Sequence, residues 1–283
     1  MTFNFERAGQ VKITMDRLTK ELLQGCKKMI GVSHTPAPAK PDLFTFKPDN
    51  LDPLLPPTSR ELFHSIMAKL LYLSKRSRPD ILTSVAFLTK RVTKPQVEDM
   101  KKLERTIQYA RETKEVELTL SAEDPITMKS YIDASYGVHQ DMKSHTGCTG
   151  CVITLGKGMI YAKSSTQKLT TKSSTEAELV ALSDSSNQVL WTKQFLIDQG
   201  HKDRSAIIFQ DNQSTIQLIN NRRSNSERTR HINIRYFFLH GRIKEKEITV
   251  TYKLTHAMLA DLLTKLLQGE QFRLLRNLLL NTS

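Results

Sequence analysis

The stretch AIIFQDNQSTIQLINN, residues 206–221, narrows the choice of fold more than any other part of this chain. An almost continuous apolar run ends in an acid, and a segment with helical spacing begins at once. A strand that is apolar on both faces needs cover on both sides, and an immediate handover to a helix provides it. MKSYIDAS, TGCTGCVITLG and MIYAKSS supply three further strand-like runs, the last after a turn at 156–158, and EITVTYKL supplies a fifth. A long helix is predicted from about Ser174 to Ile197, with Gly200 placed where a helix C-terminus favours glycine, and MLADLLTKLL is expected to form a late helix. The expectation is an α/β domain with a mixed five-stranded sheet flanked by helices.

Upstream the period changes. Seven of the ten prolines fall between Pro36 and Pro57, where fixed φ angles and missing N–H donors oppose helix and central strand alike, so a linker or surface-crossing loop is expected. Leu62, Phe63, Ile66, Met67, Leu70 and Leu71 then draw an apolar stripe at helical spacing. Pro79 suits the first turn of a second helix carrying Ile81, Leu82, Val85, Ala86 and Leu88, and a third carries Val97, Met100, Leu103, Ile107 and Ala110. Residues 58–114 therefore suggest a small three-helix bundle.

The 42 Lys and Arg against 29 acids, a formal net charge of +13 over 283 residues, favour a polyanionic partner, with nucleic acid first. Cys26, Cys148 and Cys151 are too few and odd in number for a disulfide framework, and no second pair completes a zinc site around the C-x-x-C. No apolar run approaches membrane-spanning length and no signal-peptide pattern opens the chain, which points to an intracellular protein of cytoplasm or nucleus. Trp191, amid Val189, Leu190 and Phe195, is expected to pack in the core.

Four acids stand out by position. Asp133 and Asp211 each end a predicted strand, and ligands of α/β sheets gather beyond strand ends. Glu178 and Asp261 lie near the starts of predicted helices that can turn them to the same rim. Four carboxylates this close would repel one another unless cations neutralise them, and oxygen-only ligands suit a pair of Mg²⁺ or Mn²⁺ ions. Glu176 competes with Glu178 for that role, but its first-turn position fits the helix dipole better.

The ordered blocks YIDASYG, KSHTGCTGCVITLGKGMIYAKSSTQKLTTKSSTEAELVAL, QDNQSTIQLINN, RTRHINIRYFFLHGRI and THAMLADLLTKLL resemble the RNase H domain of copia-type LTR retrotransposon polyproteins. The resemblance implies an RNase H-like fold that hydrolyses the RNA strand of RNA–DNA hybrids, with metal-ligand and catalytic roles on Asp133, Glu178, Asp211 and Asp261. SIMAKLLYLSKRSRPDILTSVAFLTKRVTKP and LERTIQYARETKEVELTL are similar to the reverse-transcriptase thumb and connection of the same polyproteins. The organisation then expected is a palm remnant and thumb start over 1–35, a Pro-rich linker over 36–57, a helical thumb and connection over 58–125, an RNase H-like domain over 126–268 and a helical tail over 269–283. The paired-aspartate polymerase motif is absent, so polymerisation is not expected from this chain alone, and the rest of a reverse transcriptase is an expected partner.

Substrate contacts are expected from Asn212 and Gln213, within reach of a 2′-hydroxyl, although Asn212 equally suits a helix cap. Arg228, Arg230, His231 and Arg235, in an arginine-dense stretch with Arg222 and Arg223, are expected to meet the phosphates, with Ile232, Ile234, Tyr236 and Phe237 anchoring the segment by packing. His256, five residues before Asp261, is read as a surface polar residue. The alternative to a nuclease is a catalytically silent clamp on hybrid duplex. An integrase-like site, which places its acids in the order Asp, Asp, Glu, fits the chain order less well.

Overall fold

The structure is a computed structural model describing residues 1–38, 43–45, 51–122, 126–141, 144–202, 205–220 and 230–282. Two compact units divide it, one of residues 1–121 with 265–283 and one of residues 122–264.

In the first unit, β1 (Thr2–Asn4), β2 (Val11–Thr14) and β3 (Leu118–Ala122) pair antiparallel, and α1 (Asp16–Gly25) follows β2. The expected bundle consists of α2 (Pro57–Arg76), α3 (Leu82–Thr89) after a 3₁₀ turn at Pro79–Ile81, and α4 (Val97–Glu112). The helical stripe predicted from sequence places Phe63, Ile66, Met67, Leu70, Leu82, Val85, Leu103 and Ile107 inside, each worth about 1.5–3 kcal/mol of burial. The side chains of Gln96 and Asp99 cap α4 reciprocally. α8 (Gly269–Leu280), expected as a tail, instead buries Phe272, Leu275 and Leu279 in this unit, with Phe272 edge-on to Tyr109.

The Pro-rich stretch does not simply cross the surface. Leu43, Phe44 and Leu55 are buried, the Phe44 ring meets the edge of Phe87, and the Lys102 ammonium donates to the carbonyls of Leu43 and Thr45. Proline blocks regular structure without blocking burial, because the carbonyls it leaves unpaired can be met by side chains.

The second unit is built on β4 (Lys129–Asp141), β5 (Ser144–Thr154), the two-residue β6 (Gly156–Lys157), β7 (Met159–Thr166), β8 (Ala206–Gln210) and β9 (Ile248–Tyr252). The five-stranded sheet runs in the order β7-β5-β4-β8-β9, with β4, β5 and β7 antiparallel and β8 parallel to both β4 and β9. Helices α5 (Ser174–Asp198), α6 (Gln213–Asn220) and α7 (Arg230–Lys244) complete the expected α/β arrangement of a mixed five-stranded sheet flanked by helices. Ile132, Cys151, Ile153, Ala177, Leu182, Val189, Ile208, Tyr236 and Leu239 form its core. Gly200, with φ of +87°, lies two residues past the end of α5.

Three local expectations change. MLADLLTKLL forms a 3₁₀ segment at Leu259–Leu263 after a 3₁₀ turn at Thr255–Ala257, in place of an α-helix. The arginine-rich stretch is helical from Arg230 onward, and on α7 Tyr236 is buried while Ile234 and Phe237 are exposed. Trp191 is 63% exposed and stacks on Phe195. Leu182 and Val189 fix the inward phase of α5, and a residue two positions past Val189 falls on the far side of the helix.

Among the described residues, no helix is long and apolar enough to cross a membrane.

Candidate metal centre

Asp133 lies on β4, paired across to Gly150 on β5. Asp133 does not end its strand as expected, because β4 runs on to Asp141. The parallel pairing of β4 with β8 extends only to Tyr131 and Phe209, however, so Asp133 and Asp211, each two residues further on, stand at one rim where the two strands part. The third acid comes from the helix that begins above this rim. Ser173 caps α5 by accepting the Glu176 N–H at 3.2 Å, and the Glu176 carboxylate accepts the Lys172 N–H at 2.7 Å. That cap occupies Glu176 in starting the helix and leaves Glu178, two residues on, to face inward.

Oxygens of Asp133, Glu178 and Asp211 lie within 4.8 Å of one another. Asp133 is 1% exposed and Glu178 5%. Burial first, and then the negative charge of Asp133 and of Asp211, push the Glu178 carboxyl well above the usual carboxylate range, while the Gln210 amide and the Ala134 N–H pull it back. An all-oxygen donor set whose charges oppose one another at this separation fits a hard divalent cation.

Each of these acids also receives a neutral donor that sequence reasoning missed. The Thr264 hydroxyl donates to Asp133, the Gln210 amide donates to Glu178 at 3.1 Å, and the Thr255 hydroxyl donates to Asp211 at 2.9 Å. For Gln210 a signal existed, since it is the polar member at an inward position of a strand whose other inward residues, Ala206 and Ile208, are apolar. No comparable signal marked the two threonines, which depend on how the 3₁₀ segments fold back.

Asp261 is buried on the 3₁₀ segment one turn before Thr264 and stands outside the group of mutually close oxygens. Gly150 allows this segment its close approach, because a Cβ there would lie 2.8 Å from the Ala260 carbonyl and 2.8 Å from Thr264.

The expected substrate residues fare differently. Asn212 accepts the Thr215 N–H at 3.0 Å and so caps α6, and Gln213 is the exposed first residue of that helix. Arg235 pairs with Asp184 on α5. Arg230 and His231 begin α7, while Arg222, Arg223 and Arg228 lie outside the described residues. His256 is exposed on the 3₁₀ turn that presents Thr255. Cys148 and Cys151 are buried thiols on β5 outside any disulfide, and burial pushes the Cys151 thiol up to about 12.

No family profile matches the chain. Over 216 residues it is 29% identical to the Retrovirus-related Pol polyprotein from transposon TNT 1-94 of Nicotiana tabacum, covering 76% of this chain and 16% of that protein. Over 212 residues it is 29% identical to the corresponding polyprotein from transposon RE1 of Arabidopsis thaliana, covering 75% of this chain and 14% of the relative. The chain thus resembles copia-type Pol polyproteins over three quarters of its length and spans only 16% and 14% of these two. Among solved structures, the foamy viral protease-reverse transcriptase in complex with RNA/DNA hybrid aligns over 88% of this chain and 29% of that one, at 11% identity and a TM-score of 0.47.

Proposed function

We propose that this chain is the RNase H and thumb-connection portion of a retrotransposon reverse transcriptase, and that its second unit hydrolyses the RNA strand of RNA–DNA hybrids. One observation carries the reading: three carboxylates distant in sequence, Asp133 on β4, Glu178 on α5 and Asp211 just past β8, converge with their oxygens within 4.8 Å. Such clustering is unfavourable without a counter-charge and is a common way to hold divalent cations.

In this reading Asp133, Glu178 and Asp211 hold Mg²⁺ or Mn²⁺, and Asp261 adds charge at the rim beside them. A pair of such ions, when bound, supplies Lewis acidity at a scissile phosphodiester and lowers the pKa of an attacking water. The protein's part is to fix the carboxylates and exclude bulk water from Asp133 and Glu178. The positive net charge is proposed to draw the duplex in without base readout, through contacts to its phosphates.

The test is cleavage of a labelled RNA–DNA hybrid with Mg²⁺ present or chelated. The intact chain is expected to cut only the RNA strand and only with metal. Asp211→Asn is expected to reduce cleavage by about 100-fold or more, the upper end of what losing a mere supporting residue costs. Hybrid binding with no cleavage by the intact chain would instead identify a silent clamp.

A further inference from the structure

Gln210 is the last residue of β8 and is fully buried. Its amide nitrogen donates to the Ile132 carbonyl at 3.3 Å and to Glu178 Oε2 at 3.1 Å, and its oxygen accepts the N–H groups of Asp211 at 2.8 Å and Asn212 at 2.9 Å. Two donors and two acceptor positions are thus all used, which leaves the side chain a single arrangement.

The partners of these four bonds matter more than their number. Ile132 immediately precedes Asp133 on β4, Glu178 is on α5, and Asp211 lies just past β8. One buried side chain therefore touches all three segments that carry the clustered acids. The strand could end in an apolar residue, as its inward neighbours Ala206 and Ile208 would suggest, and a buried amide is tolerated only where each of its groups is paired.

We propose that Gln210 is the positioning residue of the carboxylate centre, setting the spacing of Asp133, Glu178 and Asp211 before any cation arrives. This inference rests on the reading of that centre as a metal site. Glu178 reaches the cluster on a long side chain, and an unrestrained glutamate would give up its rotamer freedom on binding metal; the Gln210 amide, with the Ala134 N–H, holds it in place beforehand. The same side chain accepts both N–H groups of the turn that leads Asp211 out of the strand, so one residue fixes that turn and Glu178 together.

The test is a Mn²⁺ titration of the full chain, by calorimetry or electron paramagnetic resonance at fixed pH, comparing the unaltered protein with Gln210→Met. Methionine keeps the volume and removes the hydrogen bonds. The expected result is a 10- to 100-fold weaker affinity for Mn²⁺, as for other residues that support metal ligands, measured at a temperature where circular dichroism shows both proteins folded, with the metal-free Tm lowered because the groups that Gln210 paired lose their partner. Equal Mn²⁺ affinity in the two proteins would overturn the inference and leave the metal centre standing. Should Gln210→Met fail to fold, Gln210→Asn is titrated instead, because it keeps an amide in the site but draws it back from Glu178 by one methylene; loss of fold in both variants would make Gln210 structural and overturn the proposal. An unaltered protein that binds no Mn²⁺ overturns metal site and inference together. If it binds Mn²⁺, weakens on Gln210→Met and cuts no hybrid, the positioning role stands and the nuclease reading falls.

Discussion

At the scale of single residues, the centre trades stability for a place to put cations. Glu178 is buried beside two other acids, so its folded carboxyl releases its proton at higher pH than in the unfolded chain. Between the ordinary glutamate pKa and that raised value the folded state binds more protons than the unfolded one, and metal-free stability must fall as pH rises through this window. Glu178→Gln removes the titrating group. It is expected to raise the metal-free Tm at neutral pH by a few degrees, to flatten that pH dependence and to abolish Mn²⁺ binding, all readable by thermal denaturation from pH 4 to 8. Much of this centre was legible beforehand, because Asp133 and Asp211 end strand-like runs and Glu178 sits just inside a recognisable helix start. The donors Thr255 and Thr264 were not, since their contacts to Asp211 and Asp133 span 44 and 131 residues of sequence.

At the scale of elements, the 3₁₀ segment Leu259–Leu263 depends on a glycine across from it. Gly150 pairs with Asp133 in the sheet and leaves room on its open face for Ala260 and Thr264. Gly150→Ala would set a methyl against a backbone carbonyl, which cannot swing aside as a flexible side chain can. The expected loss is about 1–3 kcal/mol of stability, measured by denaturant unfolding, together with weaker Mn²⁺ binding as Thr264 is pushed from Asp133. Element types were mostly readable from period, and α5 matches its expected span within a residue. The misses share one cause. The 3₁₀ segment shows the same apolar spacing as an α-helix over a few residues, and α7 hides behind an arginine-dense opening that looks like a loop.

At the scale of the molecule, an excess of 13 positive charges makes hybrid affinity depend on counterion release. Even two phosphate contacts would lose roughly tenfold in affinity between 50 and 200 mM salt, and a log–log binding isotherm that stays flat would remove the electrostatic account. Arg235, already paired with Asp184, should add little to that slope. The amino-acid sequence by itself determined the five strands of the sheet, the span of α5, the net charge and which acids were candidates for the centre, because these follow from local period and composition. Only the tertiary structure decided that Asp133, Glu178 and Asp211 share one centre, and that a glutamine touches all three of their segments. Distances between residues far apart in the chain are set by how strands pair and helices pack, and no local pattern encodes them.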